Sequence, residues 1–204
     1  MFASKKTVSM KAMVLLLAVV LLFGCAAGGT LAWLTTRTTD VVNNFTTSDI
    51  NITLDESDDL DLQMVPGTDI EKDPVVAVEE GSEDCWLFVK VVAENGAVLT
   101  GESDADDYIT YTIADGWSPV PGADNVYYRK VAADATDRDF EVLADNKVHV
   151  LDTVTKAMME AIDNGAAAPK LTFTAYAVQQ VGFDELATDD ANAAAAWAEA
   201  SKLG

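Results

Sequence analysis

Cys85-Trp86-Leu87-Phe88-Val89-Lys90-Val91-Val92-Ala93 is apolar on both faces of an extended chain. Successive strand residues point to opposite faces, so a strand with one wet face alternates apolar and polar residues. This run does not alternate, and only Lys90 interrupts it. It reads as a central strand packed on two sides. Gly81 to Asp84 is the turn that leads into it.

The flanking sequence breaks into shorter pieces of the same kind. Ile50, Ile52 and Leu54 alternate with Asn51 and Thr53, which is a half-buried strand. Asp55 to Asp61 is an acidic loop, Pro66-Gly67 a turn, and Val75 to Val78 a short strand after Pro74. Downstream, Gly101 to Asp107 is a second acidic loop and Tyr108 to Ile113 alternates again. Gly116-Trp117 and Pro119 to Gly122 form a turn-rich connection before a strand at Val126 to Val131. Phe140 to Leu143 is expected to pair with Val148 to Leu151 in a hairpin across Asp145-Asn146. The period then changes. Val154, Met158, Ala161 and Ile162 share one helical face, with Asp152 or Thr153 as cap and Gly165 at the end. Leu171 to Val178 returns to strand alternation, and Thr188 to Lys202 is an Ala-rich helix with Trp197 as its large anchor. About eight short strands with turns between them predict an all-β fold. The expected form is an antiparallel, jelly-roll-like β-sandwich, with one inserted amphipathic helix and a C-terminal helix.

The first residues carry a different signal. Lys5, Lys6 and Lys11 precede an unbroken apolar run, Ala12 to Phe23, and then small residues from Gly24 to Ala32. That order is the basic region, apolar core and cleavage site of a secretory signal. Cleavage between Ala32 and Trp33 is the expectation. Two other fates fit the segment. Ala12 to Leu34 is uncharged and just long enough for a retained anchor, which takes about 20 residues. Leu22-Phe23-Gly24-Cys25 resembles a lipobox, with Cys25 as the lipidated residue and bulky Phe23 where a small residue is usual. Residues 1–32 thus form the signal, 33–183 the sandwich and 184–204 the C-terminal helix.

Cleavage would leave 172 of the 204 residues, enough for one domain with a core. It would remove three of 13 basic residues and none of 34 acidic ones, taking the net charge from −21 to −24. A chain so acidic is expected to avoid nucleic acid and anionic membranes. Only Cys85 would remain, so core burial and not a disulfide framework must hold the fold. Trp33-Leu34-Thr35-Thr36-Arg37-Thr38-Thr39 would then lead the chain. It has strand composition and no turn beside it, so it reads as a free extended strand.

Several stretches together carry a family resemblance. Gly29-Thr30-Leu31-Ala32-Trp33-Leu34-Thr35 resembles the junction read by the SipW-type signal peptidase of Gram-positive bacteria. Asn44-Phe45-Thr46, Ile50 to Glu56, Val65-Pro66-Gly67, Lys72-Asp73-Pro74, Gly81 to Val91 and Ala168 to Gln179 follow in the order found in its substrates. Across nearly its whole length the chain resembles the TasA/camelysin family. That resemblance implies a secreted jelly roll. It also implies one of two activities. TasA-like members build biofilm-matrix fibres in which each subunit lends its N-terminal strand to the next. Camelysin-like members are described as cell-surface metalloproteases.

The chemistry expected of a protease is thin. Zinc hydrolysis typically uses three protein ligands and an open position. The chain has one histidine, His149, and no H-E-x-x-H. In Lys147-Val148-His149-Val150, the odd positions should face solvent, which makes His149 an exposed strand residue. Cys85 lies in the most apolar strand and reads as a buried, inert thiol, not as the partner of His149 in a dyad. Calcium at the acidic loops is the one cofactor possibility: Asp55, Glu56, Asp58, Asp59 and Asp61 cluster, as do Glu102, Asp104, Asp106 and Asp107. Neither run matches an EF-hand loop, and solvated loops account for both. Trp117, Tyr127 and Tyr128 suggest a sugar platform but fit core and rim packing better. The expectation is a secreted, non-enzymatic structural protein with no catalytic or metal residues, whose partners are further copies of itself, the signal peptidase, and other matrix or cell-wall components. The alternatives are a camelysin-type metalloprotease and a membrane-tethered binding module.

Overall fold

The computed structural model describes residues 50–57 and 64–202. Its strands are β1 (Ile52–Asp55), β2 (Asp69–Glu71), β3 (Val75–Val78), β4 (Cys85–Glu94), β5 (Ala97–Leu99) and β6 (Ile109–Ile113). They continue with β7 (Ser118–Pro119), β8 (Val126–Val131), β9 (Asp139–Glu141), β10 (Leu143–Val150) and β11 (Lys170–Gln179). Helix α1 (Lys156–Asp163) lies before β11, and helix α2 (Asp189–Ala200) follows it. The fold is mostly β, with three sheets, and is consistent with an all-β sandwich.

The apolar run is central, as its composition requires. β4 lies between β11 and β8 in a sheet of order β11-β4-β8-β7. Cys85 through Val89 are all fully buried. Cys85, Leu87, Val89 and Val91 share a face with Phe173, Ala175 and Ala177 of β11, their partners in register or next to them. Trp86 and Phe88 point to the other face, where α2 covers them. The sheet needs two apolar faces because it has a layer on each side.

The other two sheets have the orders β1-β3-β9 and β2-β10-β6-β5. They run into each other. Lys72 N–H donates to the Asn146 carbonyl (2.8 Å) and Val142 N–H to the Pro74 carbonyl (2.9 Å), so one ladder continues from β2–β10 into β3–β9. The buried residues of this layer include Val76, Val78, Tyr111, Val142, Leu143, Val148 and Val150.

Three expected features differ. The hairpin at Asp145-Asn146 is absent: Leu143 to Val150 is one strand, and β9 pairs with β3. Asp145 (φ 55°) and Asn146 (φ 51°) do adopt left-handed backbone. They use it for a bulge, which shifts the β10–β6 register between Leu143 and Val148. The same residue types serve turns and bulges, so the local signal was ambiguous. The pairing is also not purely antiparallel, because β5 lies parallel to β6, Ala97 opposite Ile109 and Leu99 opposite Tyr111. The loop 100–108 carries the chain back to the start of β5, and Tyr108 and Ile109 both donate to the Gly96 carbonyl.

The inserted helix starts later than expected. Its cap is Thr155, not Asp152 or Thr153; the Thr155 hydroxyl accepts from Met158 N–H at 3.3 Å. Ile162 is buried on its inner side, and Val154, just before the cap, is buried too. It ends at Gly165 (φ 100°) as expected, with Ala166 N–H bonded to the Ala161 carbonyl and Gly165 N–H to that of Ile162. That double bond pattern is the glycine-terminated end that satisfies orphan carbonyls.

Helix α2 is held on the sheet by shape and by its first turn. Ala193, Ala196 and Ala200 are buried and let the helix approach closely, while Trp197 packs on Phe88 (5.5 Å) and Tyr176 (5.1 Å). Thr188 caps its N-terminus. Asp190 accepts from the Tyr128 hydroxyl (2.6 Å), and Asp189 pairs with Lys130 (3.1 Å). Both acids sit where the helix dipole favours negative charge.

Candidate functional site

β11 combines threonine and tyrosine on one face with Leu171, Phe173, Ala175 and Ala177 on the other. The second set is buried in the core. β-Branched residues on one face and small or apolar residues on the other suit a long strand half-covered by a neighbour. Ten residues pair with β4 in one unbroken register, from Lys170 opposite Glu94 to Gln179 opposite Cys85.

In an antiparallel ladder, alternate residues direct their main-chain groups to opposite sides. Just past the strand end, Gln180 N–H donates to the Asp84 carbonyl at 2.8 Å. The even-numbered residues of β11 therefore bond to β4. The N–H and C=O groups of Leu171, Phe173, Ala175, Ala177 and Gln179 point the other way. Among the described residues no strand pairs with that outer edge.

Sheet edges are usually blunted by charge, proline or bulges, because an open edge templates pairing with another chain. β11 has none of these after Lys170, and its register carries no shift. The beginning of β1 lies at the same side of the fold: β1 approaches β11. Asn51 N–H donates to the Ser82 hydroxyl (3.1 Å), and the Asn51 carbonyl accepts from Glu79 (2.8 Å). The chain thus reaches Ile50 beside the turn that starts β4. β1 pairs only with β3 among the described residues, so two sheet edges meet here.

The residues expected at the cleavage junction (Ala32, Trp33), in the donor strand (Trp33 to Thr39) and at the lipobox (Cys25) lie outside the described residues, as do Asp58, Asp59 and Asp61. His149 is half-exposed, and its Nδ1 lies 2.8 Å from Asp69 Oδ1. Hydrogen bonds from His149 and then Lys147 hold the Asp69 carboxyl below its ordinary value. Cys85 is fully buried in the central strand, so the structure does not pair it with His149. Glu56 pairs with Lys72. In the 101–107 loop, Asp107 turns back to accept from Asp104 N–H (2.7 Å). Among the described residues no group of three or more His, Cys, Asp or Glu is placed to hold a metal ion. Trp117 is buried and donates from Nε1 to the Glu141 carbonyl (2.8 Å), and Tyr128 is buried under α2. Neither forms an open sugar platform. Among the described residues no helix is long and apolar enough to cross a membrane.

Burial pushes the Cys85 thiol up to about 12. Thiolates react and thiols do not, so the folded protein should resist a thiol reagent at pH 8. Labelling should appear only in denaturant, monitored by intact mass. Labelling of the native protein within minutes would contradict the burial.

No family model matches the chain, and no curated protein or solved structure matches it.

Proposed function

We propose that this chain is a secreted structural protein of the cell surface or biofilm matrix, of TasA/camelysin type, folded as a jelly roll. It assembles into fibres when Trp33 to Thr39 of one copy pairs with the outer edge of β11 in the next. The observation that carries this reading is the ten-residue edge of β11, uncharged after Lys170 and without a register shift. An added strand would satisfy its outward N–H and C=O groups, as in other strand-addition complexes. The added segment, with four threonines, a tryptophan and a leucine, has the composition of a strand. Such exchange is head-to-tail, and head-to-tail contacts that do not close produce filaments. Signal cleavage frees the strand only after export, which keeps assembly outside the cell.

Copies carrying a charge near −24 repel one another. At 0.1 M ionic strength that repulsion is screened beyond about 10 Å. Assembly is expected to rise with added salt or divalent cations. Deleting Trp33 to Thr39 should leave a folded, soluble monomer at every salt concentration, by electron microscopy and sedimentation. Filaments of normal length from that truncation would refute strand donation.

A further inference from the structure

The opposite edge of the same sheet carries a second feature. β7 is only two residues long and pairs with Tyr127 and Tyr128. Val120 N–H donates to the Val126 carbonyl (2.8 Å), so the even-numbered residues of β8 bond on the β7 side. Lys130 is the next in that series, and β7 ends before reaching it. Among the described residues no strand lies beside the Lys130 main chain. An open cavity of about 530 Å³ lies there, walled by Ser118, Arg129, Lys130, Asp137, Phe140 and Asp189.

Arg129 is the unusual member. Its guanidinium is stacked between Phe140 (4.2 Å) and Trp117 (4.9 Å). Among the described residues its hydrogen bonds go to two carbonyls, Asp115 (3.3 Å) and Gly116 (3.4 Å), and to no carboxylate. Burial lowers its proton affinity, and Asp137 offsets part of that effect without forming an ion pair. A half-buried cation without a salt bridge among the described residues is out of place in a chain with 34 acidic residues and 13 basic ones. Lys130, on the other face of the same strand, is 39% exposed beside Asp189. A strand added next to Lys130 would place successive side chains on the two faces, one toward Arg129 and the next toward Lys130.

The geometry points to a docking site for an extended acidic peptide of a partner protein, which adds beside Lys130 and gives a carboxylate to Arg129. The fit is one of charge at Arg129: its guanidinium has no carboxylate partner among the described residues, whereas Lys130 already pairs with Asp189, and an unpaired stretch of main chain lies between them. Guanidinium is the group best suited to a carboxylate, and it is already fixed by its two aromatic neighbours. This site lies on the edge away from β11 and is independent of strand donation there.

The test is fluorescence anisotropy on the purified protein at 0.15 M salt. The probe is a labelled hexapeptide with two adjacent glutamates among valines and threonines. Its twin carries glutamines instead. The acidic peptide should bind and the twin should bind about tenfold more weakly, the worth of one charged hydrogen-bonded pair. Arg129→Gln should remove the difference. Gly116→Ala should do the same with the arginine still present, because a Cβ there would lie 2.0 Å from Arg129 Nη2. Gly122→Ala is the control for folding. It also places a side chain at positive φ (77°), but nothing lies within 4 Å of its Cβ, so binding should persist. Equal binding of the two peptides, or unchanged binding in folded Arg129→Gln, would overturn the proposal. So would Arg129-dependent binding of oligogalacturonate without binding of the acidic peptide, which would make this a site for an acidic sugar.

Discussion

Phe88→Ala is expected to destabilise the protein by about 3–5 kcal/mol, the usual cost of emptying a large aromatic site in a packed core. Phe88 is fully buried on the α2 face of β4, and Trp197 packs on it at 5.5 Å. Its removal opens a cavity and takes away the platform on which the helix anchor rests. A domain of this size has roughly 5–15 kcal/mol in total, so the loss is a large part of it. Urea unfolding should show a lower midpoint at unchanged slope. Val92→Ala lies further along the same face, beyond the helix, and is 37% exposed. It should cost less than about 1 kcal/mol. Similar losses in the two variants would mean that α2 does not hold the sheet as described.

The contrast between Phe88 and Val92 marks what the amino-acid sequence could reveal. The run from Cys85 to Ala93 is apolar at both parities, and this made its central position legible. It could not reveal that one face meets a helix about a hundred residues later, while the other meets a sheet. β3 and β8 were legible to the residue because Pro74 and the turn-rich 119–122 connection precede short runs of strand composition. β2, β5 and β7 were not, since strands of two or three residues hold no measurable period. Asp145 and Asn146 gave a true signal of left-handed backbone but not its use, which depends on the partners β10 finds.

The candidate sites were less legible still. His149 and Cys85 draw attention by their chemistry, yet one is bonded to Asp69 and the other is buried. Arg129 drew none, because Gly116, Trp117 and Phe140 meet it only in the fold. Its one local signal is a lone arginine in the aromatic stretch Val126-Tyr127-Tyr128-Arg129. The edge of β11 was invisible for a simpler reason. Whether a strand has a neighbour is a property of the sheet and not of the strand.

The second large effect follows from that edge. The Ala175 N–H points outward, so Ala175→Pro removes no ladder bond to β4; proline is tolerated at edge positions of this kind. Thr174 is opposite Lys90 and bonds inward. Thr174→Pro removes a bond from the middle of the sheet and should prevent folding. The same substitution, one residue apart, should thus separate assembly from stability. Strand donation needs the outward N–H of Ala175, whichever direction the incoming strand runs. The deciding measurement is electron microscopy of the mature Ala175→Pro protein at a salt concentration where the unaltered protein polymerises, with its fold checked by circular dichroism. Strand donation at β11 predicts a folded monomer without filaments. Filaments of normal length from folded Ala175→Pro would contradict it.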